Sequence, residues 1–528
     1  MASTWQLRTT APDLAQRYRA EGLWTDETLG QLLDDHLRAQ AALDVRVWSA
    51  TRPWSGTIAD VHGAARRFAG WLADNGVGAG DVVAFQLPNC VEAAVVFWGS
   101  ALAGAVLVPI VHFYGPKEVG FILDQLTPAV LVHTAGAPIE PAASRIDLAV
   151  DLAGPAGLAV GGAPGGAAPI DAPVDVDPDH PALVAFTSGT TADPKGVIHT
   201  HRSIVGEIRQ LSAIQPPERR PTLTGAPVGH AIGMLTGLLL PVYRDQAVHL
   251  IDQWHPAAVL DAMVAGDLTA GSGATYFLVS LLDAPGWGPE HLERMRYVGL
   301  GGSSVPEAVA DRAIAMGISV ARSYGATEHP SVTGAPHDLP QEPRKRTDGR
   351  PLPGVEVRIV DASGEALAAG EPGEIWTRGP DLCAGYTDPA LTARTFTDDG
   401  WYRTGDVGVL DPDGWLTITD RLSDVIIRGG ENISAAEVED VLLRMTGVAE
   451  VAVVAAPDER LGEHACAFVR LTDPATRAPE LTDLQAHLAD AGLAKQKWPE
   501  ELVVVADLPR TPSGKVRKTD LRAQLRSP

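Results

Sequence analysis

Between Phe186 and Val197 the chain reads Phe-Thr-Ser-Gly-Thr-Thr-Ala-Asp-Pro-Lys-Gly-Val. Thr187, Ser188, Thr190 and Thr191 offer hydroxyl donors. Gly189 and Gly196 leave backbone N–H groups uncovered, and Lys195 adds one cation. Clustered donors with a cation are what grips a polyphosphate. The segment is not the Gly-x4-Gly-Lys-Ser/Thr loop, because Gly196 follows Lys195. Taken alone, it also reads as a plain Ser/Thr/Gly-rich surface turn. The apolar run Ala182–Phe186 leads into it and reads as a buried strand.

Four more groups follow in order. They are Tyr324-Gly325-Ala326-Thr327-Glu328, then Tyr402-Arg403-Thr404-Gly405-Asp406, then Asp420-Arg421 with Arg428-Gly429-Gly430-Glu431-Asn432, and last Pro509-Arg510-Thr511-Pro512-Ser513-Gly514-Lys515. Each has an ordinary reading. Tyr324 serves as a core aromatic, Glu328 as a solvated acid, Asp406 as a turn cap, and Lys515 as one more cation beside Arg517 and Lys518. As an ordered set of five, from about Leu29 to Leu525, they resemble the adenylate-forming superfamily of acyl-CoA synthetases, peptide-synthetase adenylation domains and luciferases.

The resemblance implies a reaction and roles. A carboxylate is a poor electrophile; joining it to AMP gives it a good leaving group, and ATP, magnesium and CoA are the implied cofactors and co-substrates. Catalysis of that kind is positioning and electrostatics. By resemblance, Thr187, Ser188, Gly189, Thr190, Thr191 and Lys195 embrace the phosphates. Tyr324 stacks on adenine, bordered by Gly301, Gly302 and Ser303, with Gly325 beside it. Thr327 bonds the α-phosphate and Glu328 holds magnesium. Asp406 takes the ribose hydroxyls, Arg421 braces the ribose, and Lys515 reaches the α-phosphate from a mobile lid. His230 matches the residue that closes the acyl pocket. Arg428, Gly429, Gly430 and Glu431 line a CoA tunnel once the lid has turned about Ser423. Two positions depart from the pattern: Ala192 stands where the phosphate loop has glycine, and Ser423 where the hinge has Asp or Lys.

The segment Ser423–Ser434 looks most like cyclohexanecarboxylate-type and related acyl-CoA ligases, and the opening Tyr18–Trp24 resembles both that group and the 2,3-dihydroxybenzoate-activating enzymes. Ala231 follows His230 where hydroxybenzoate-activating enzymes have asparagine, and no aspartate for an amino group occurs in Ala226–Met234. Ala231, Gly233, Gly301, Gly302 and Gly325 are small, while Tyr276, Phe277 and Val332 are apolar. They suggest a pocket for a medium-chain, alicyclic or aromatic acid. The leading reading is therefore an acyl-CoA ligase. The alternatives are an adenylating enzyme that loads a carrier-protein thiol in trans, and a nucleotide-binding protein with little catalysis. Acetylation of Lys515 by a protein acetyltransferase would remove its charge and silence adenylation. A homodimer is a further expectation.

These residues need a large scaffold. The chain has 528 residues, enough for more than one core. With 42 Lys plus Arg against 66 Asp plus Glu its net charge is −24, which disfavours nonspecific nucleic-acid or anionic-membrane binding. Cys90, Cys383 and Cys466 are far apart and show no metal spacing, so a reducing cytoplasm is expected. Met1–Arg19 lacks a signal-type apolar core. Ala93–Val111 is uncharged and 19 residues long, yet Gly99, Ser100, Gly104 and Pro109 argue for a buried helix and strand rather than a membrane span.

Alternating patterns over the first 180 residues predict an α/β fold: strands at Val82–Leu87 and Val106–Val108, a helix at Glu92–Leu102, and a helix stop at Asn75-Gly76. Residues 153–178 read as an irregular connector. Asp411-Pro412-Asp413-Gly414 reads as a hairpin turn. A division is expected into residues 1–420, a hinge at 421–424 and a small α+β lid over 425–528. The lid is expected to hold strands Val425–Ile427, Val451–Ala455 and Cys466–Leu471, a helix from a Ser434–Glu437 capping box to about Arg444, and another opening at Thr482. His199 and His201 look like a metal pair but lack a third ligand, and structural roles are favoured.

Overall fold

A computed structural model describes residues 5–161, 167–187, 194–216, 218–302, 305–428, 431–458, 460–473, 477–510 and 516–526, without the side chains of residues 431, 432 and 526. Ser188–Thr191, Ala192, Ser303, Gly429, Gly430 and Lys515 fall outside these ranges.

The fold is α/β, with a large N-terminal part and a small C-terminal α+β part. A seven-stranded sheet is central. Its order is 385–386, 195–200, 181–187, 106–109, 82–86, 130–134 and 146–150. The strands from 181–187 through 146–150 run parallel, which requires helical covers on both faces. That is why Val82–Gln86 is apolar almost throughout and wholly buried. Helix Val91–Leu102 is buried at every position, and a side chain at Gly99 would lie 2.7 Å from the Ala65 carbonyl of helix Ile58–Asp74. The uncharged stretch is thus a core helix followed by strand Val106–Pro109. Among the described residues no helix is long and apolar enough to cross a membrane.

Strands Pro181–Thr187 and Lys195–Thr200 form an antiparallel hairpin with Thr187 opposite Lys195. The short strand Gly385–Tyr386 adds to its outer edge, pairing with Ile198 and Val197. A separate antiparallel sheet contains Glu356–Val360, Gly373–Arg378, Tyr402–Leu410 and Leu416–Arg421. Its last hairpin closes at the expected turn, where Asp411 N–H donates to the Trp415 carbonyl at 3.0 Å.

After Arg421 the backbone turns, with Asp424 and Val425 N–H both donating to the Arg421 carbonyl, and Ser423 is exposed there. Beyond lies a sheet containing Ile426–Arg428, Glu431–Ile433, Val448–Asp458, Gly462–Leu471 and Glu501–Val505. Its hairpin strands are longer than the apolar runs suggested, because cross-strand pairing carries on from Val448↔Leu471 to Asp458↔Gly462. Helix Ala435–Leu442 stops short of Arg444. Ser434 caps it by accepting from Glu437 N–H at 3.2 Å. The Glu437 carboxylate does not complete the box, since it is drawn to Lys497 instead. Contacts among the described residues that tie this part to the rest include Ser434 Oγ to the Thr419 carbonyl at 2.9 Å, Ala435 N–H to Asp420 Oδ2 at 2.7 Å, and Arg444 to Glu307 at 3.1 Å.

Candidate functional site

The register of the four-stranded sheet sets Asp406 opposite Arg421. Arg421 Nε lies 2.8 Å from Asp406 Oδ1, and the Tyr324 hydroxyl donates to Asp406 Oδ2 at 2.6 Å. Asp406 is only 4% exposed. Its turn-capping duty falls to Thr404, whose Oγ1 accepts from Asp406 N–H at 3.0 Å. The carboxylate is therefore committed to Tyr324 and Arg421. The Asp406 charge raises the Arg421 pKa, while burial, reinforced by that same charge, pushes the Tyr324 phenol well above its usual value. The Tyr324 ring packs with Val332, Leu352 and Leu416.

Thr327 and Glu328 sit on a tight loop. Ala326 and His329 exchange backbone hydrogen bonds at 2.9 and 3.1 Å. A Cβ at Gly325 would lie 1.9 Å from the Pro330 carbonyl oxygen, so only glycine fits. The Thr327 carbonyl accepts from His199 Nε2 at 2.7 Å, and the Glu328 carbonyl accepts from Cys383 N–H at 2.8 Å. Burial pushes the His199 pKa down to about 4, so its ring is a neutral donor. The Glu328 carboxylate is 8% exposed and accepts from the Tyr386 hydroxyl at 2.7 Å.

This geometry joins the hairpin to the acidic loop. Tyr386 pairs with Val197, Thr387 N–H donates to the Gly196 carbonyl at 2.8 Å, and His199 holds Thr327. Thr187 and the exposed Lys195 close the described ends of the hairpin. Sequence reasoning missed Tyr386. A lone Gly-Tyr pair far from the other motifs carries no local signal, and only the strand pairing brings it to Glu328.

Gly301 and Gly302 lie at the end of strand Tyr297–Leu300. A side chain at Gly301 would meet Ser323, and Gly302 needs its left-handed φ of 75°. Ile232 lies beside Gly302, which links this edge to His230 and Ala231. His230 caps the short helix Ala231–Met234, its Nδ1 accepting from Ile232 N–H at 3.3 Å. A side chain at Gly233 would lie 1.9 Å from the Pro227 carbonyl oxygen, and Val332 is 1% exposed inside the Tyr324 cluster. Tyr276 is 61% exposed.

In the C-terminal part, Arg428 Nε donates to Glu500 at 2.6 Å. His199 and His201 are not a metal pair: His201 Nδ1 accepts from Leu29 N–H at 3.2 Å. Among the described residues no cluster of three or more His, Cys, Asp or Glu could hold a metal. A single carboxylate such as Glu328 suits magnesium arriving on phosphates, since that ion takes one or two protein carboxylates and keeps the rest of its shell on phosphate and water. Chemically, the arrangement offers a carboxylate held by one hydrogen bond and one ion pair for a diol, a second carboxylate for a cation, and a hairpin mouth for an anion.

The AMP-binding enzyme family matches residues 40–387, and the AMP-binding enzyme C-terminal domain matches residues 437–515. The chain is 34% identical over 524 residues to the medium-chain fatty-acid–CoA ligase of Escherichia coli, covering 96% of this chain and 92% of that protein. It is also 34% identical over 497 residues to an octahydroindenyl-propanoyl:CoA ligase of Rhodococcus jostii, covering 89% and 93%. Among solved structures, ATP-bound MatB from Rhodopseudomonas palustris superposes with a TM-score of 0.85 at 27% identity, over 94% of this chain and 98% of that one. Apo MatB superposes with a TM-score of 0.73 at 28% identity, over 95% and 99%.

Proposed function

The chain belongs to the AMP-binding enzyme family and is an AMP-forming acid–thiol ligase, and from that premise we propose a substrate class and a role for each site residue. The substrate is a medium-chain, alicyclic or aromatic carboxylic acid, in keeping with the acids named for the two relatives. In the first half-reaction the acid's carboxylate oxygen attacks the α-phosphorus of ATP, forming acyl-AMP and releasing pyrophosphate. In the second, the CoA thiol attacks the acyl carbon, the proton leaves the sulfur, and AMP departs with the C–O bond electrons.

The observation that carries this reading is the pair of buried carboxylates facing different duties. An ionised carboxylate has about four lone-pair sites. Tyr324 uses one on Asp406 Oδ2 and the Arg421 cation lies beside Oδ1 as an ion pair, which leaves at least one per oxygen for the 2′- and 3′-hydroxyls of ribose. Glu328, steadied by Tyr386, would hold magnesium, which supplies charge neutralisation between the phosphates. Thr327 would bond the α-phosphate from a loop fixed by His199 and Cys383. The segment from Thr187 to Lys195 would hold the β- and γ-phosphates. His230 and Ala231 would border the acyl group. Lys515 would serve adenylation, and Arg428 with its glycine-rich turn would serve CoA after rotation about Ser423. The higher superposition score on an ATP-bound neighbour than on its apo form supports a lid arrangement of the ATP-bound kind.

The test is pyrophosphate release over a panel of straight-chain, cyclohexane, benzoic and amino acids, with and without CoA. Turnover that needs CoA, with AMP and thioester formed, is the expected result. A single stoichiometric burst indifferent to CoA would assign the acceptor to a carrier protein. Lys515→Ala should lose acyl-AMP formation and still convert supplied acyl-AMP with CoA; parallel loss of both half-reactions would refute the alternating lid.

A further inference from the structure

Behind the Thr327–Glu328 loop lies a set of ionisable side chains that the reaction does not use. Glu207 on helix His201–Ala213 is 1% exposed, and Asp381 and His329 are 0% exposed. The Ser331 hydroxyl donates to Glu207 Oε1 at 2.8 Å, and Ser331 N–H donates to Asp381 Oδ2 at 3.0 Å. His329 Nε2 lies 3.0 Å from Asp381 Oδ1, close enough for an ion pair though not aligned as a hydrogen bond. Its Nδ1 meets Thr377 Oγ1 at 2.8 Å. A side chain at Gly379 would come within 2.6 Å of His329 Nε2, so the ring has no room to turn away.

Glu207 and Asp381 are two buried carboxyls tied to one residue, Ser331, and two like charges side by side in a space closed to water are costly. The hydrogen bonds point the same way. No donor among the described residues reaches Glu207 Oε2. Placing a proton there turns an orphaned acceptor into a donor on the side of Asp381, and the two carboxyls then share one negative charge. Burial first, then the Asp381 charge, push the Glu207 carboxyl well above its ordinary range. For Asp381, burial pushes upward, but His329 and the backbone N–H donors, Ser331 among them, together outweigh it and hold the carboxyl below its ordinary range.

We propose that Glu207, Asp381 and His329 form one buried unit in which Glu207 keeps its proton and hydrogen-bonds Asp381, and that this unit positions the loop bearing Thr327 and Glu328. The loop is anchored through His329, which directly follows Glu328, and through Ser331, two positions further on. Neither Glu207 nor Asp381 touches substrate; both act through the loop. The positioning role rests on the reading of Thr327 and Glu328 given above, whereas the location of the proton does not.

Three variants of the full chain test this. In Glu207→Gln the amide N–H replaces the acid O–H and its carbonyl still accepts from Ser331. This variant should keep adenylation within about threefold of wild type. Glu207→Ala and Asp381→Asn should each lower the adenylation kcat about 10- to 100-fold, because small misplacements of reacting groups are that costly. Conversion of supplied acyl-AMP with CoA should stay within about threefold in all three. An infrared difference spectrum at neutral pH, wild type minus Glu207→Gln, should show the carbonyl band of a protonated carboxylic acid. No such band, or equal losses in Glu207→Gln and Glu207→Ala, would overturn the proton assignment. Parallel loss of both half-reactions would overturn the positioning role. The band is read on resting enzyme, so a wild type that turned over no acid would overturn the functional reading and the positioning role while leaving the proton assignment standing.

Discussion

Asp406→Asn is the sharpest perturbation of the nucleotide site. The wild-type carboxylate already accepts from Tyr324 at 2.6 Å and pairs with the Arg421 cation at 2.8 Å. Of its remaining lone-pair sites, one on each oxygen matches the two ribose hydroxyls. Asparagine has one carbonyl oxygen and carries no charge, so at least one ribose contact is lost. A hydrogen bond to a charged group contributes about 1.5–3 kcal/mol, so the ATP KM should rise about 10- to 150-fold. The assay is pyrophosphate release against ATP and against 2′-deoxy-ATP, for wild type and variant. If Asp406 reads the 2′-hydroxyl, the deoxy substrate already forfeits that contact, and the two penalties should overlap by about 1–2 kcal/mol. Tyr324→Phe removes a protein donor and not a ribose contact, so its overlap with the deoxy substrate should be smaller. Penalties that simply multiply in Asp406→Asn would refute the ribose assignment. The variant also leaves the Tyr324 hydroxyl and Arg421 poorly paired, at a stability cost of about 1–3 kcal/mol, so the assay belongs well below its melting temperature.

Gly325→Ala would place a methyl 1.9 Å from the Pro330 carbonyl oxygen and 2.6 Å from its carbon, and neither can swing aside. Overpacking should cost about 1–3 kcal/mol of stability, and displacement of the loop should lower adenylation about 100-fold; an unchanged pyrophosphate rate would contradict the tight-loop account. Acid should destabilise the protein through His199 and His201, both held neutral by burial with pKa values near 4. The unfolded chain takes up those protons near pH 6.5 and the folded one does not, so stability is complete above about 6.5 and declines towards pH 4, by about 2 kcal/mol per histidine at pH 5. Equal urea midpoints at pH 7.5 and pH 5 would rule this out. Glu307→Arg breaks an exposed contact between the two parts, so it should change the ratio of the two half-reaction rates by no more than about fivefold, with Arg444→Glu restoring it; a ratio the second change leaves uncorrected would sink the contact's role in lid placement.

The central strands and the buried helix were legible because a sheet covered on both faces demands unbroken apolar runs, as at Val82–Gln86. Tyr324, Thr327, Glu328, Asp406 and Arg421 stood out in the sequence because their motifs are compact and ordered, and the structure brings Tyr324, Asp406 and Arg421 into contact. What the sequence hid depends on long-range pairing. Tyr386 reaches Glu328 only through an added edge strand, and Glu207 looked like any helical glutamate until Ser331 and Asp381 closed over it. For Val332 and Gly233 the sequence is silent for a related reason: smallness and apolarity do not say whether a residue faces a cavity or its own backbone.

The edge strand has a consequence for how the protein is made. Tyr386 and Val197 lie roughly 190 positions apart, and contacts of such separation form late because a long loop must close first. In the proposed ribose role, Asp406 and Arg421 would complete the nucleotide site from farther along still. A chain emerging from the ribosome would then lack that site until Arg421 is out. ATP bound there would favour the folded ensemble by mass action, so depletion of the nucleotide would weaken newly made copies as well as stop their chemistry.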